Sequence, residues 1–414
     1  MDRTPRVLML GSLPLAAPWN GADKMLARTI VTADTRHAYI VQTGLREAWP
    51  DRVTAVRQHE VQDMPGTTAR LGAARYIFGN THNADLVHVV ATVQASSGLP
   101  ARILRGWCRA AGRPIVHTLP AIASSDSIDR AALPGDVTVA LSRYTSERLR
   151  AAGVPDVVSL FPPLPLGDLR PRTGSERLRR RHRLGPLPVL YAAHLDRGSG
   201  IAEAIRSLAA LPPALSDVTL VLALRWRSGQ DVRAELQRLR AIADAAGVTH
   251  RVRWLTRVAD MPALISTCAV TMLVPERLAG KMDLPLVLLE SLALCRPIIV
   301  ADRAPMNEVL LGGGLAVPFG DIGALAHALA SLLDDEVRRV TLARTGRRNV
   351  LVAADPGRIA TAYTEIYDRA RDRDHGSRTV RSRSVRARSV RSGSVRQNSG
   401  RPAAAGERVG EHID

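Results

Sequence analysis

The segment 281–297 combines a lysine, the start of a helix and a single acid within an apolar run. Pro285 fits the first turn of a helix, where its missing N–H costs nothing, and Asp283 is positioned to cap that helix. The free amides of Leu286 and Val287 would then point at an incoming phosphate, because helix N-termini attract anions. The pattern therefore predicts an anion site at a helix N-terminus.

Glu290 is the single acidic residue in the apolar run 284–294. A carboxylate in such surroundings is costly to bury unless another group bonds it. The two hydroxyls of a nucleotide ribose would be a natural partner, and neighbouring backbone groups are the alternative. Lys281, just before the helix, is one of only two lysines among 57 basic residues. It could face the phosphate or be a solvated loop residue.

A second segment, 191–200, contains closely spaced glycines after a predicted strand. Gly198 and Gly200 let the backbone approach a ligand closely. The helix that begins near Ile201 would offer free N–H groups to an anion. A tight strand-to-helix turn would have the same pattern, so this signal alone decides nothing.

Other familiar catalytic patterns are absent from the sequence. There is no His-Glu-x-x-His zinc helix, no Cys-x-x-Cys pair, no Gly-x-Ser-x-Gly elbow and no phosphate loop that ends in Gly-Lys-Ser or Gly-Lys-Thr. Asp372 and Asp374 resemble a metal-binding pair but lie beside a basic tail, so we interpret them as surface charge. The three cysteines have neither disulfide nor metal-ligand spacing. We therefore expect no metal.

Short β-branched runs alternate with amphipathic stretches along two halves of the chain, which favours parallel sheets covered by helices. The predicted strands are Arg6–Gly11, Ala38–Gln42, Asp85–Val90, Pro114–Thr118, Val137–Leu141, Val157–Phe161, Val189–Ala193, Val218–Leu224, Arg251–Leu255, Ala269–Val274 and Ile298–Ala301. The predicted helices are Asp23–Thr32, Leu99–Ala111, Ser146–Ala152, 175–183, 201–210, 231–245, 259–267, 285–294, 321–334 and 358–371.

A proline-rich connector around 161–171 separates the two halves. We expect an α/β protein with two doubly wound, Rossmann-like parallel-sheet domains that face a cleft, plus a disordered basic tail. The predicted boundaries are 1–165 for the N-terminal domain, 166–186 for a linker and helix, 187–355 for the C-terminal domain, 356–372 for a terminal helix and 373–414 for the tail.

Composition fits a globular protein of 414 residues, with 46% hydrophobic and 23% charged residues. The net charge of +18 is concentrated in part in 376–401, where eight arginines and no acids occur in short Ser-Val-Arg repeats. Such a segment buries too little apolar surface to fold, so we expect disorder. Weak attraction to RNA, DNA or anionic lipid is its alternative role. The basic cluster Arg177–Arg183 favours a solvated helix face over nucleic-acid contact.

The start of the chain leads directly into a strand-like run rather than a signal-peptide core. No apolar run reaches the ~18–20 residues that a membrane span requires. With few cysteines and an arginine excess typical of a GC-rich genome, these features favour a bacterial cytoplasmic protein.

Leu284–Pro297, followed by Ile298–Asp302 and Asn307–Val309, resembles the donor-binding signature of glycosyltransferase family 4. These are retaining enzymes with the two-domain GT-B fold. The resemblance covers nearly all of 187–350, and it is looser in the first half of the chain. The helix 358–371 resembles the terminal helix of the family, which crosses back to the first domain.

The resemblance assigns roles to individual acids. Glu290 matches the second acid of the Glu-x7-Glu motif of the family, which is expected on the nucleotide ribose. Met282 stands where the first acid should be, and that acid normally contacts the donor sugar. Asp283 is adjacent and is our candidate for a partial substitute.

The resemblance also assigns the basic residues. The Arg–Lys pair that neutralises the diphosphate in the family falls here on His194 and Ser199. Arg197 and Lys281 are the available replacements, and we prefer Lys281 because it precedes the phosphate-facing helix. The histidine of the first domain falls on Pro120. We interpret His117 and His88 as packing residues rather than catalytic ones.

We therefore predict a retaining hexosyltransferase that uses a nucleotide-diphosphate sugar, with UDP-sugar preferred over GDP-sugar. No other cofactor and no metal are predicted. The acceptor would be a small or lipid-linked molecule, approached by Asn20, Gly21 and Lys24. Specific nucleic-acid binding is not expected, and membrane contact would be weak.

Two alternatives remain open at the level of the sequence. Because Met282, His194 and Ser199 depart from the family pattern, the protein could be a degenerate GT-B member that binds nucleotide or a partner without turnover. A basic nucleic-acid or membrane-surface protein is the other alternative, and it rests on the tail alone.

Overall fold

The computed structural model describes most of the chain up to residue 373. The described residues are 3–11, 15, 22–44, 47–57, 66–93, 97–122, 128–226, 230–276, 278 and 282–373. The predicted tail, from residue 374 onward, lies outside them.

The first half forms a seven-stranded parallel sheet with the spatial order β3-β2-β1-β4-β5-β6-β7. Its strands are β1 Arg6–Leu10, β2 Ala38–Thr43, β3 Val53–Arg57, β4 Leu86–Val90, β5 Ile115–Leu119, β6 Val137–Ala140 and β7 Val157–Ser159. The central strands are buried along their whole length, as β4 and β5 show. Continuous apolar strands are expected where helices cover both faces of a sheet.

Four helices accompany this sheet: α1 Ala22–Ala33, α2 Gly66–Asn80, α3 Gly98–Ala111 and α4 Arg143–Ala151. The start of α4 is fixed by Ser142, whose hydroxyl accepts a hydrogen bond from the Thr145 amide at 3.0 Å. After its last turn, Gly153 adopts a φ of +71°, which stops the helix as the sequence predicts.

The second half forms a six-stranded parallel sheet with the order β10-β9-β8-β11-β12-β13. Its strands are β8 Val189–His194, β9 Leu220–Arg225, β10 Val252–Leu255, β11 Val270–Leu273, β12 Ile298–Ala301 and β13 Gly314–Val317. Its helices are α5 Glu176–His182, α6 Ile201–Ala209, α7 Val232–Ala245, α8 Met261–Thr267, α9 Leu286–Ala293, α10 Ile322–Asp334 and α11 Glu336–Ala353. A last helix, α12, spans 356–373.

Two parallel, doubly wound sheets confirm the predicted fold class. In each sheet the strand order reverses between two central strands, β1 and β4 in the first and β8 and β11 in the second. Ligands of such sheets bind beyond the carboxyl ends of the strands at that reversal.

The sequence prediction missed four elements: β3, β13, α2 and α11. Strand β3 is short and follows a polar stretch, and β13 follows a run of glycines. The two helices lack a clear apolar stripe: α2 contains internal glycines and α11 is rich in arginine. Periodicity alone detects a helix only when one face differs strongly from the other.

Helix α12 packs on the first half of the chain through a buried polar network. The His88 ring lies 2.7 Å (Nδ1) from the Tyr367 hydroxyl and 2.8 Å (Nε2) from the Thr118 hydroxyl. Thr118 in turn lies 2.8 Å from the Tyr363 hydroxyl. Burial, together with the nearby His117, lowers the pKa of His88 to about 3, so the ring is neutral at physiological pH. The network gives α12 specific partners in β4 and β5.

We expect Tyr367→Phe to lower the free energy of unfolding by about 1–3 kcal/mol, because a buried nitrogen of His88 then loses its partner. Tyr363→Phe should cost less, since His88 keeps both of its own bonds and Thr118 loses only one of two. Urea unfolding of the full chain at neutral pH measures both. Equal losses for the two variants would contradict this account of the network.

Candidate functional site

The candidate site lies at the carboxyl edge of the second sheet, where β8 and β11 are neighbours. The segment 195–200 leaves β8 toward helix α6, and residues 274–285 lead from β11 toward α9. This edge is the reversal point of the strand order, so both predicted segments meet where such sheets bind ligands.

The glycine segment is held against the end of β11 by Tyr191. The Tyr191 hydroxyl donates to the Ser199 carbonyl at 2.6 Å and accepts from the Val274 amide at 3.1 Å. Gly200 has a φ of +80°, and a Cβ there would overlap the Val274 carbonyl and the Tyr191 hydroxyl. A tight turn therefore accounts for Gly200 without a ligand.

Gly198 is required by a different contact. Its φ is +74°, and a Cβ would lie 2.7 Å from a carboxylate oxygen of Glu276. The Gly198 carbonyl also accepts from the Glu276 amide at 2.8 Å. Contact of Gly198, Ser199 or Gly200 with a donor remains a prediction.

The basic residues predicted in this segment point in different directions. Arg197 is 87% exposed, and its guanidinium lies 3.9 Å from Glu235 on α7. His194 ends β8 and is half-buried. A cavity of about 270 Å³ adjoins the segment, and Arg197, Glu203 and Arg238 are among its lining residues.

Arg225 is a cation at this edge that the sequence analysis did not select. It ends β9 and lies beside His194 in the register of β8 and β9. Its positive charge lowers the pKa of Glu290. The available signal was an arginine directly after the buried run Val218–Leu224.

Glu290 lies in the second turn of α9 and keeps limited contact with solvent. Burial raises its pKa to about 7, and the Arg225 charge opposes this rise. An ionised Glu290 is therefore destabilised by its surroundings. A ligand that donates hydrogen bonds to the carboxylate would offset that destabilisation.

Helix α9 begins as the sequence predicts but is not capped as predicted. Pro285 is its N-cap residue, and no side chain caps the helix. The prediction that Asp283 caps α9 is wrong, because its carboxylate is engaged elsewhere. The amides of Leu286 and Val287 open the helix, where N–H groups lack intrahelical acceptors.

Asp283 bonds to the first half of the chain instead. Its Oδ2 accepts from the Ser142 hydroxyl at 2.5 Å, and its amide donates to the Pro120 carbonyl at 3.0 Å. Burial raises the pKa of Asp283, and the hydrogen bond from the Ser142 hydroxyl lowers it. The negative charge of Glu308 also raises it, and the resulting pKa is about 6.

Glu308 binds at the N-terminus of helix α4, next to Ser142, the partner of Asp283. Its two carboxylate oxygens accept from the amides of Arg143 and Tyr144, both at 2.8 Å. Asp283 and Glu308 together form what we call the acid clamp on α4. Carboxylates are favoured there because the positive end of the helix dipole and unpaired amides face them. The clamp joins the second half of the chain to the first, directly beside α9.

Met282, which replaces the first motif acid, is 6% exposed. It belongs to the same apolar cluster as Val41, Ile359 and Tyr363 of the first sheet and α12. The position is thus filled by packing against the first half. A carboxylate there would be desolvated without compensation.

The structure describes only some of the remaining predicted site residues. Lys281, Asn20 and Gly21 lie outside the described residues. Lys24 lies in the first turns of α1 and is half-buried. His88 and His117 lie inside the first sheet, the position that the packing interpretation predicts.

Across the described ranges, His, Cys, Asp and Glu side chains form no group of three or more that could hold a metal ion. In the same part of the chain, no helix is both long and apolar enough to span a membrane.

Comparison with known proteins identifies a family for one segment of the chain. Residues 175–349 match the profile of the family described as glycosyl transferases group 1. This segment belongs to that family. The match covers α5 to α11 and includes Glu290, Asp283 and the glycine segment, so the predicted recognition is confirmed there.

Curated proteins that are similar to this chain are named as glycosyltransferase enzymes. A glycogen synthase of Mycobacterium tuberculosis is 27% identical over 200 residues, which is 46% of this chain and 45% of the relative. A GDP-mannose-dependent monoacylated alpha-(1-6)-phosphatidylinositol monomannoside mannosyltransferase of Corynebacterium glutamicum is 23% identical over 335 residues, 78% of this chain and 77% of the relative. The chain spans about half the length of the first of these relatives.

Solved structures share the fold across both halves. Anabaena Alr3699/HepE in complex with UDP and glucose has a TM-score of 0.68 at 17% identity, with 88% of this chain and 99% of that chain covered. A sucrose-phosphate synthase of Thermosynechococcus elongatus has a TM-score of 0.69 at 18% identity, covering 89% and 99%. The fold is that of the GT-B glycosyltransferases.

We expect Glu308→Gln to lower the free energy of unfolding at neutral pH by about 1–3 kcal/mol, because two charge-assisted hydrogen bonds lose the carboxylate. Glu336→Gln is the matched control, since Glu336 is an exposed acid in the first turn of α11. Thermal and urea unfolding measure both variants. A Glu308→Gln protein as stable as the control would show that the acid clamp does not hold the two halves together.

Proposed function

We propose that this protein is a retaining hexosyltransferase that moves a sugar from a nucleotide-diphosphate donor to a hydroxyl of an acceptor, without a metal. The observation that carries the proposal is the arrangement of α9. Its N-terminal amides and Glu290 one turn later provide groups for a diphosphate and a ribose on one helix, and Arg225 at the end of β9 adds a positive charge that acts on Glu290.

The donor half of the proposal is supported by local chemistry. The amides of Leu286 and Val287 would bind the diphosphate, and the carboxylate of Glu290 would accept from the ribose hydroxyls. In this scheme bond cleavage at the anomeric carbon transfers negative charge to the β-phosphate. Preorganised amides and cations stabilise that charge as it develops in the transition state.

The cations of the site are proposed to be Lys281 and Arg225, with Arg197 as a weaker contributor. His194 and Ser199 stand at the positions where the family resemblance implies arginine and lysine. Arg225 lies beside His194 at the same sheet edge, so it can supply the charge that this position lacks.

We propose a UDP-sugar as donor, with a GDP-sugar as the competing possibility. A solved structure of similar fold holds UDP and glucose, whereas the relative aligned over 78% of this chain is named as GDP-mannose-dependent. Isothermal titration calorimetry with UDP and GDP compares them directly. Tighter binding of GDP would replace the UDP assignment but keep the reaction class.

The acceptor is proposed to be a small or lipid-linked hydroxyl compound that enters from the first half of the chain, near Asn20, Gly21 and Lys24. Support for a lipid-linked acceptor comes from a phosphatidyl-myo-inositol mannosyltransferase of Mycobacterium leprae, which is 25% identical over 188 residues. That relative is similar over 45% of this chain.

A second candidate function is binding without turnover. Met282 favours it, because the first motif acid is replaced by a side chain that packs into an apolar cluster. Nucleotide affinity with no release of nucleotide from any sugar donor would select this function. Binding of neither UDP nor GDP would contradict both.

We expect Glu290→Gln to weaken nucleotide binding by about 1–3 kcal/mol, because charge-assisted bonds to the ribose are lost. The same change should stabilise the protein without ligand at pH 8. The folded-state pKa of Glu290 is raised from 4.5 to about 7, so its contribution to stability is present below pH 4.5 and lost as the pH rises through about 7.

Melting curves with and without UDP, from pH 5 to pH 8, test both expectations for Glu290→Gln. The variant should melt above wild type at pH 8, the two should converge towards pH 5, and UDP should raise the melting temperature of wild type more. Glu336→Gln is the exposed control. An unchanged UDP affinity in a folded variant would remove Glu290 from the ribose site.

We expect Lys281→Ala to reduce turnover by roughly a hundredfold or more at saturating donor, and Lys281→Arg to keep part of it. Arg225→Gln should also reduce turnover, whereas Arg197→Ala should cost least because its side chain is 87% exposed. Initial rates of nucleotide release measure the series. A near-wild-type rate for Lys281→Ala would identify Lys281 as a solvated loop residue.

A further inference from the structure

Helix α3 presents large apolar side chains to solvent on one stripe. Leu99, Ile103 and Trp107 are 68%, 52% and 37% exposed. They are spaced four residues apart, which places them on the same face of a helix. Only three other large apolar side chains in the described ranges are comparably exposed, and none of those belongs to α3.

This stripe is separate from the side of α3 that packs on the sheet. Ala101 and Cys108 are buried beneath the helix, and Leu104 packs against the same core. The core therefore already has its apolar partner in α3. Leu99, Ile103 and Trp107 do not belong to that core cluster.

The position of Trp107 is fixed by neighbouring rings. Its indole stands edge-on to Phe78 at 4.9 Å and to His82 at 5.7 Å, measured between ring centroids. More than a third of the residue nevertheless remains in contact with solvent. The stripe is thus a preformed, ordered surface.

The polar residues of α3 are basic. The helix contains Arg102, Arg105 and Arg109 and no acidic residue. Arg105 donates to backbone carbonyls of the segment 133–135, whereas Arg102 and Arg109 are exposed beside the stripe. An apolar stripe with a positive border is complementary to a surface that is apolar inside and negative outside.

We propose that this face of α3 lies on the surface of an anionic lipid membrane. Leu99, Ile103 and Trp107 enter the boundary between headgroups and acyl chains, and Arg102 and Arg109 contact lipid phosphates. Tryptophan favours that boundary because its ring is both apolar and polar. Three side chains are far fewer than the 20–30 residues, or about 800 Å², that each partner contributes to a stable protein interface.

This inference does not depend on glycosyl transfer. It also differs from the weak lipid attraction considered for the basic tail, because it names an ordered apolar surface in the first half of the chain. Electrostatic attraction of the segment 376–401 is screened by salt, whereas insertion of apolar side chains is not.

Co-sedimentation of the full chain with vesicles tests the proposal, using phosphatidylcholine with or without phosphatidylglycerol. Leu99→Gln combined with Ile103→Gln should weaken binding to the anionic vesicles roughly tenfold, and the difference should persist at about 0.5 M salt. Val337→Gln with Val352→Gln is the matched control, because these residues of α11 are 78% and 57% exposed, at least as much as Leu99 and Ile103 on average. Arg102→Gln with Arg109→Gln should weaken binding and reduce its dependence on salt.

Trp107 supplies an independent readout. Wild type should show a blue shift of tryptophan emission on binding vesicles, and Trp107→Phe should lose that shift while still binding. Wild-type affinity in the Leu99→Gln, Ile103→Gln variant would overturn the proposal and assign binding to the basic segment. Absence of vesicle binding by wild type would also overturn it. So would self-association without lipid that the apolar variant abolishes, since a second copy would then cover the stripe.

Discussion

The N-terminus of helix α4 is the point on which the relation between the two halves of the chain depends. It receives the carboxylates of Asp283 and Glu308, both from the second half. Unpaired amides and the helix dipole favour such carboxylates, while burial opposes their charge. The raised pKa of Asp283 records that balance. Asp283 lies three residues before α9, so the clamp also holds the chain just before the candidate phosphate-binding helix.

The sheet architecture could be predicted from sequence because fully buried strands leave a local signal. The eleven predicted strands correspond to apolar runs that stand out from their surroundings. Strands β3 and β13 are short and begin beside polar or glycine-rich segments, so they carry less signal. The arginine-rich α11 was missed for the related reason that its two faces differ little in polarity.

The site was only partly predictable, because its decisive contacts join distant positions. Glu290 and the start of α9 belong to one segment and could be identified together. The partner of Asp283 is 141 residues away and that of Glu308 is 165 residues away, so no local spacing indicates either contact. Asp283 next to a helix start is an ordinary capping pattern. In the structure the Asp283 carboxylate instead accepts a hydrogen bond from Ser142, the N-cap residue of α4.

Met282 and Glu290 occupy two positions of the motif that the family resemblance implies, and they differ in what they contribute to the stability of the folded protein. Met282 lies in an apolar cluster formed with α12, where a methionine stabilises the folded protein and a carboxylate would destabilise it. Glu290, by contrast, lowers the stability of the folded protein, since its raised pKa means that the charged form is unfavourable at neutral pH. In the proposed function a ligand offsets this cost, and Glu290, rather than the replaced first acid, is the residue assigned to nucleotide recognition.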